Sequence, residues 1–236
     1  MNYVNSLKPG NMLSRTFPSG SVGEGILIMD SCPVTALGIQ QVLVESCGIT
    51  DEINVVQSLA EISSRITSAP PAVLITDICG ENELMLDGLR LLVHLREARP
   101  TMKMVICTDF SDYRVLELLV SSRAHGILLK HEPSLALIQC INGGMSGSQQ
   151  WLSPKVQQRL AKIIPKNNAL TARELDVLAC LFSGLSVSRV AQTLHRDIRT
   201  VSTHKRNAMM KLGFHNDSEL FAQGTWMAKI GPAAGL

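Results

Sequence analysis

Two sets of residues in this chain of 236 residues have types and spacing that could do chemistry. The first is Asp30, Asp77, Thr108 and Lys130: two carboxylates, a hydroxyl and an amine, each at the end of a short apolar run. The second is "TVSTHKRNAMMKLG" (200–213), where cations and imidazoles alternate with residues apolar enough to enter a core. The first set suits phosphorylation of a carboxylate. Asp77 would be the nucleophile and phosphoacceptor. Lys130 would pair with an incoming phosphoryl oxygen, and Thr108 would hydrogen-bond it and report its arrival. Mg2+ would be needed only if Asp77 is phosphorylated, with Asp30 and Asp77 as its carboxylate ligands. No other cofactor is expected.

These four residues can meet only if the elements before them line up. Short apolar runs at 25–30, 53–57, 72–77, 103–108 and 126–130 read as strands. Segments of helical period separate them at 34–46, 58–67, 86–97, 112–122 and 133–142. This alternation predicts an α/β, doubly wound, five-stranded parallel sheet over 25–143, covered on both faces. In open parallel sheets, ligands bind outside the carboxyl ends of the strands. Asp30 follows the first run, Asp77 the third, Thr108 the fourth and Lys130 the fifth. One polar residue at a strand end means little, because strand ends reach solvent; four of matching chemistry are better evidence.

From Leu170 the pattern changes to an all-α, four-helix unit over 167–236, after a linker at 144–166 that contains a brief amphipathic helix. Thr171 and Glu174 have the spacing of a capping box. Leu175, Val177, Leu178, Leu181 and Phe182 follow as an apolar stripe, and Gly184 ends that helix. Ser186 caps a short second helix, "HRD" makes a tight turn, and a third helix runs from about Ile198 to Leu212. Asn216, with Glu219 three residues on, caps a fourth. On the third helix Val201, Ala208 and Leu212 share one face, while Ser202, Thr203 and Arg206 lie outward. These are the parts of a helix-turn-helix, whose recognition helix enters the major groove. Arg206 would donate a bidentate pair to guanine. Ser202 and Thr203 are short enough to let the backbone approach, and Arg196, Arg199, Thr200, Lys205 and Lys211 suit phosphate contacts. A three-helix bundle with a solvated basic face fits the same pattern. Leu220, Phe221 and Met227, placed on the fourth helix, read as a dimerisation surface, with packing on the first helix as the alternative for Leu220 and Phe221.

Charge supports a division of labour. Residues 166–236 hold nine Lys/Arg against five Asp/Glu, and residues 1–165 hold 13 against 15. A mildly acidic body thus precedes a basic tail domain, which points toward nucleic acid. Residues 1–24 are rich in Asn, Ser, Gly and Pro, and read as a flexible leader without the apolar block of a signal peptide. No run has the length of a membrane span, and a cytoplasmic protein with no membrane partner is expected. The six cysteines form no C-x-x-C pair, and reduced, mostly buried thiols are expected. No Gly-rich phosphate loop, metal triad or nucleophile elbow argues for an enzyme.

Leu170, Thr171, Arg173, Glu174, Val177, Leu178, Val190, Ala191, Leu194, Thr200, Val201, His204, Lys211, Leu212 and Gly213 stand in step with a family pattern. Through them the C-terminal segment resembles the DNA-binding domain of LuxR/NarL-type regulators. "NAMMKLG" followed by "ND" resembles the Rcs capsule-synthesis regulator B branch. The set Asp30, Asp77, Thr108 and Lys130 resembles the receiver domain of response regulators in two-component systems. That resemblance implies a histidine kinase or phosphotransfer protein as phosphate donor. The long spacing from Asp77 to Asp87–Gly88 resembles the same branch. The departures are specific. Receivers carry two adjacent acids after the first strand, and here Asp30 is followed by Ser31. The usual Met-Pro after the phosphoacceptor and the Lys-Pro step are absent. Ser202 stands where many members carry Lys. The resemblance implies a transcription regulator that binds double-stranded promoter DNA as a homodimer, or as a heterodimer with a related response regulator. Its receiver would serve mainly dimerisation, with weak Asp77 phosphorylation. The rival expectation is an interaction module that titrates a regulator or kinase with little DNA affinity of its own.

Overall fold

The computed structural model describes residues 25–144, 149–161 and 169–228. The leader expected over 1–24 lies outside them. The apolar runs form β1 (Ile26–Met29), β2 (Ile53–Val56), β3 (Val73–Thr76), β4 (Lys103–Thr108) and β5 (Gly126–Leu129). A sixth strand, β6 (Trp151–Leu152), joins the edge, so the sheet is six-stranded rather than five-stranded, in the order β2-β1-β3-β4-β5-β6. All pairings are parallel. Two residues cannot carry a periodic signal, and β6 lies in the stretch read as linker. Its place is set by contacts remote in sequence. The Trp151 amide donates to the His125 carbonyl and the Ser153 amide to the Ile127 carbonyl. The Glu132 carboxylate accepts from the Leu129 amide, the Ser153 hydroxyl and the Lys155 amide.

Alternate strand residues face opposite sides, as the period of two requires. Ile26, Ile28, Val73, Ile75, Val105 and Leu128 pack with α1 (Pro33–Gln41) and α5 (Ser134–Gln139). Leu27, Met29, Leu74, Met104 and Ile106 pack with α2 (Leu59–Ser68), α3 (Met85–Ala98) and α4 (Tyr113–Ser121). A π-helical turn, Val42–Ser46, extends α1. The brief helix of the linker is α6 (Pro154–Leu160), which packs on α4 and β5 through the buried Val156. Gly88 in α3 has one physical reason to be glycine. A Cβ there would lie 1.5 Å from the Ile78 carbonyl oxygen, and this approach seats the loop after Asp77 on α3.

The C-terminal unit holds α7 (Ala172–Phe182), α8 (Val187–Thr193), α9 (Ile198–Leu212) and α10 (Asp217–Gln223). Each starts where its cap places it. Thr171 and Glu174 form the reciprocal capping box, Ser186 and Asn216 accept from the third amide, and Asp197 accepts from the Arg199 amide. Gly213, left-handed at φ +78°, ends α9. Met227 is not on the fourth helix. It lies in a 3-10 turn beyond Gly224 and is fully buried, as is Leu220, so neither is available to a partner. Phe221 keeps 44% exposure and meets Phe182 edge to face.

The two units share a core. Leu89 and Leu92 of α3 lie in one apolar cluster with Leu175 and Leu178 of α7. Arg90 of α3 spans the junction to the buried Asp176 of α7 at 3.7 Å.

Candidate functional sites

The strand order reverses between β1 and β3, and the crevice outside their carboxyl ends is where an open sheet binds ligands. The register brings the ends level: Met29 pairs with Thr76, Thr76 with Ile106, and Thr108 with Leu129. Asp30, Asp77, Thr108 and Lys130 therefore meet there, as their spacing predicted. The Lys130 Nζ lies 2.7 Å from Asp30 Oδ2 and 2.6 Å from Asp77 Oδ2. Asp77 also accepts from the Thr108 hydroxyl and, at 2.6 Å, from the Ile78 amide. Asp30 Oδ1 accepts from the Cys32 amide. The side chains of Asp30, Asp77 and Lys130 are 1%, 3% and 9% exposed, so this is a buried triad of two anions and one cation.

Burial pushes the Asp77 carboxyl above the ordinary carboxylate range, against the opposing pull of Lys130, Thr108 and the Ile78 amide. Burial alone would lower the Lys130 amine, but Asp77 and Asp30 outweigh it and hold the ammonium above its usual range. The neighbouring thiols of Cys79 and Cys107 are pushed up to about 12, chiefly by burial, and are inert. None of the six cysteines is in a disulfide; four are buried, Cys180 is half-buried and Cys32 is exposed.

A divalent cation does not fit this donor set. Mg2+ takes octahedral oxygen coordination and favours carboxylates. The residue beside Asp30 is Ser31, a neutral hydroxyl. One carboxylate oxygen of Asp30 and one of Asp77 already grip the same ammonium. Among the described residues, no group of three or more His, Cys, Asp or Glu could hold a metal ion.

The second site is the outward side of α9. Arg196, Arg199, Thr200, Thr203 and Arg206 are exposed, and Ser202 is half-exposed beside them. Val201 and Ala208 are buried beneath, as the wheel requires, while Leu212 is half-buried. Two of the cations expected at phosphates are already paired, one at the surface and one to a buried carboxylate. Lys205 Nζ pairs with Asp217 at 2.7 Å, and Lys211 Nζ with the buried Glu174 at 2.7 Å. The Thr203 hydroxyl donates to the Arg199 carbonyl.

Two residues not expected at this site join it. Arg173 and His204 line a shallow cavity of about 250 Å³ with Arg196, Thr200, Leu194 and Val201. A signal for Arg173 was present in the sequence. A cation in the first turn of a helix opposes the helix dipole, and here it is also paired with Asp176 three residues on, at 3.2 Å.

The fold and the sites define a two-part protein, a receiver-like α/β unit joined to a helix-turn-helix. The comparisons agree. Residues 168–222 match the family model of bacterial regulatory proteins, luxR family. The chain is similar to the transcriptional regulatory protein RcsB of Salmonella typhi, at 27% identity over 202 residues, covering 83% of this chain and 91% of that one. It has the fold of RcsB from Salmonella enterica serovar Typhimurium solved bound to promoter rprA with the phosphomimetic BeF3−. That likeness has a TM-score of 0.60 at 22% identity, over 88% of this chain and 100% of that one. A structure of two RcsB dimers on two parallel DNAs matches at a TM-score of 0.54 and 22% identity, over 86% and 98% of the chains. Among the described residues no helix is long and apolar enough to cross a membrane.

Proposed function

We propose that this protein is a DNA-binding transcription regulator of the response-regulator type, acting in the cytoplasm, which reads promoter duplex as a dimer through α9. The observation that carries this reading is the outer face of α9. It leaves Thr203 and Arg206 exposed and Ser202 half-exposed, while Lys205 and Lys211 are paired elsewhere. With Lys205 and Lys211 paired, Arg196, Arg199 and Arg206 are the exposed cations of this face. Arg206 is the base reader, by a bidentate pair with guanine worth about 1–3 kcal/mol of discrimination. Arg196, Arg199 and Thr200 neutralise and hydrogen-bond phosphates around it. Lys205 and Lys211 are here positioning residues for the domain. The named relatives, a transcriptional regulator and its complexes with promoter DNA, support the same reading.

The receiver-like unit serves pairing. Helix α1 carries two apolar stripes. Ala36, Ile39 and Leu43 are buried, while Val34, Leu37 and Val44 point outward with 77%, 63% and 48% exposure. Leu135 of α5 adds 57% exposure on the same face of the sheet. From Pro33 to Val44 there is no charged residue. A helix apolar on both sides needs cover on both sides, and an uncharged stripe suits its own copy or a related receiver. Phosphoryl transfer to Asp77, from a histidine kinase or phosphotransfer protein, is weak in this reading because the donor set does not suit Mg2+.

Fluorescence anisotropy on promoter fragments tests the proposal. Arg206→Ala should abolish specific binding, and Leu37→Glu should lower the apparent affinity by breaking the dimer. Intact regulatory activity in Arg206→Ala would favour the rival in which the chain titrates a regulator or kinase.

A further inference from the structure

We infer that Lys130 is the resident cation of the receiver pocket and closes it to divalent metal, and that Ser31 is the residue that makes this so. The inference rests on the receiver-like reading of residues 25–143 and deepens it. It does not depend on how α9 meets DNA.

The geometry is a charge argument. Asp30 and Asp77 are two buried carboxylates at the adjacent ends of β1 and β3, and both contact the Lys130 ammonium. Two anions that close, out of water, need a counter-charge between them. The Lys130 ammonium supplies it, at 2.7 Å and 2.6 Å from one oxygen of each. Among the described residues, Asp30 Oδ2 has no partner apart from that ammonium. The triad carries one net negative charge. A third carboxylate would raise this to two and call for a divalent ion. The position where it could stand, next to Asp30 at the mouth of the pocket, is Ser31, partly exposed and neutral. A dication entering here would have to displace a buried ammonium from two short contacts and find water and neutral oxygens for the rest of its shell. Mg2+ gives up its water reluctantly and is held by carboxylates.

The other partners of Asp77 fit a pocket already set. Thr108 is fully buried and donates to Asp77 itself. The Lys130 amide donates to the Thr108 carbonyl at 3.0 Å, joining the two strand ends. The next residues but one continue the connection, because Glu132 holds Ser153 and Lys155 at the start of α6. The groups that an incoming phosphoryl would recruit are engaged by the carboxylate in its absence. The pocket then works as a fixed staple across β1, β3, β4 and β5, and its state does not follow the supply of metal or phosphoryl donor.

The test uses the full chain without DNA. Free Mn2+ followed by its electron paramagnetic resonance signal, and thermal unfolding in millimolar Mg2+ against Na+ at matched ionic strength, both report metal at this site. The wild type should leave the Mn2+ signal at its buffer intensity and show the same Tm in both salts. Ser31→Asp should gain a Mg2+-dependent rise in Tm and bind Mn2+ at least about tenfold more tightly, since ligand charge count sets affinity for hard cations. Both gains should vanish in Ser31→Asp/Asp77→Asn. Mn2+ binding by the wild type that is lost in Asp77→Asn overturns the inference. So does a folded Ser31→Asp chain that remains as indifferent to metal as the wild type. If Ser31→Asp does not fold, the wild-type Mn2+ titration alone decides. Promoter affinity is not among these readouts, so the DNA-binding proposal stands or falls separately.

Discussion

His125 shows how one side chain sets a dependence on pH. Its Nδ1 accepts the Met104 amide at 3.1 Å, and its own amide and carbonyl hold β4 and β6 on either side. Burial, with Lys103 and Arg96 nearby, pushes the imidazole down to about 4 from 6.5. The unfolded chain therefore takes up a proton below pH 6.5 that the folded chain refuses until about 4. Stability from this group is complete above the upper value and is lost as pH falls toward the lower one. Asp77, shifted upward by burial, contributes with the opposite sign at acid pH, so the comparison must isolate His125. His125→Asn keeps an acceptor for the Met104 amide and removes the titration. Denaturant midpoints should fall more steeply for wild type than for this variant over that interval. Parallel curves would show that the imidazole is not held neutral.

At the scale of an element, α9 is divided between support and recognition. Lys211 reaches back across α7 to Glu174, whose other partner is the Thr171 amide in the capping box. Lys211→Met leaves a buried carboxylate with one hydrogen bond in place of two, a loss of about 1–3 kcal/mol. The same variant should leave the salt dependence of DNA binding unchanged once folded. Arg196→Ala should do the reverse: little change in Tm, and a slope of log affinity against log salt smaller by about one. Thermal melts and anisotropy at several salt concentrations check both outcomes. A reduced slope for Lys211→Met would return that lysine to the phosphates.

For the whole molecule, the continuous core across α3 and α7 implies cooperative unfolding. Leu89, Leu92, Leu175 and Leu178 would all gain water if the units separated. Calorimetry on the full chain should give a single transition, with Arg90→Ala lowering its midpoint because Asp176 then keeps only Arg173. Two resolved transitions, with the first unaffected by Arg90→Ala, would mean that the units behave independently.

Much of this was legible in the residues themselves. Periods of two and 3.6 are local properties, so the first five strands, the capping box at Thr171 and the extent of α9 could be read directly. The convergence of Asp30, Asp77, Thr108 and Lys130 followed because strand ends in a parallel sheet share an edge. What the sequence could not decide was pairing between distant groups. Two residues of β6 carry no period, and they join the sheet through remote partners: His125 accepts from Trp151, while Ile127 and Glu132 hold Ser153. Lys205 and Lys211 look like phosphate ligands on a wheel until Asp217 and Glu174 are seen to take them. Met227 looked available until α3 was found to cover its turn. Local conformation is encoded within a few neighbouring residues, whereas the partner of a long charged or apolar side chain is fixed only when the chain has folded back on itself.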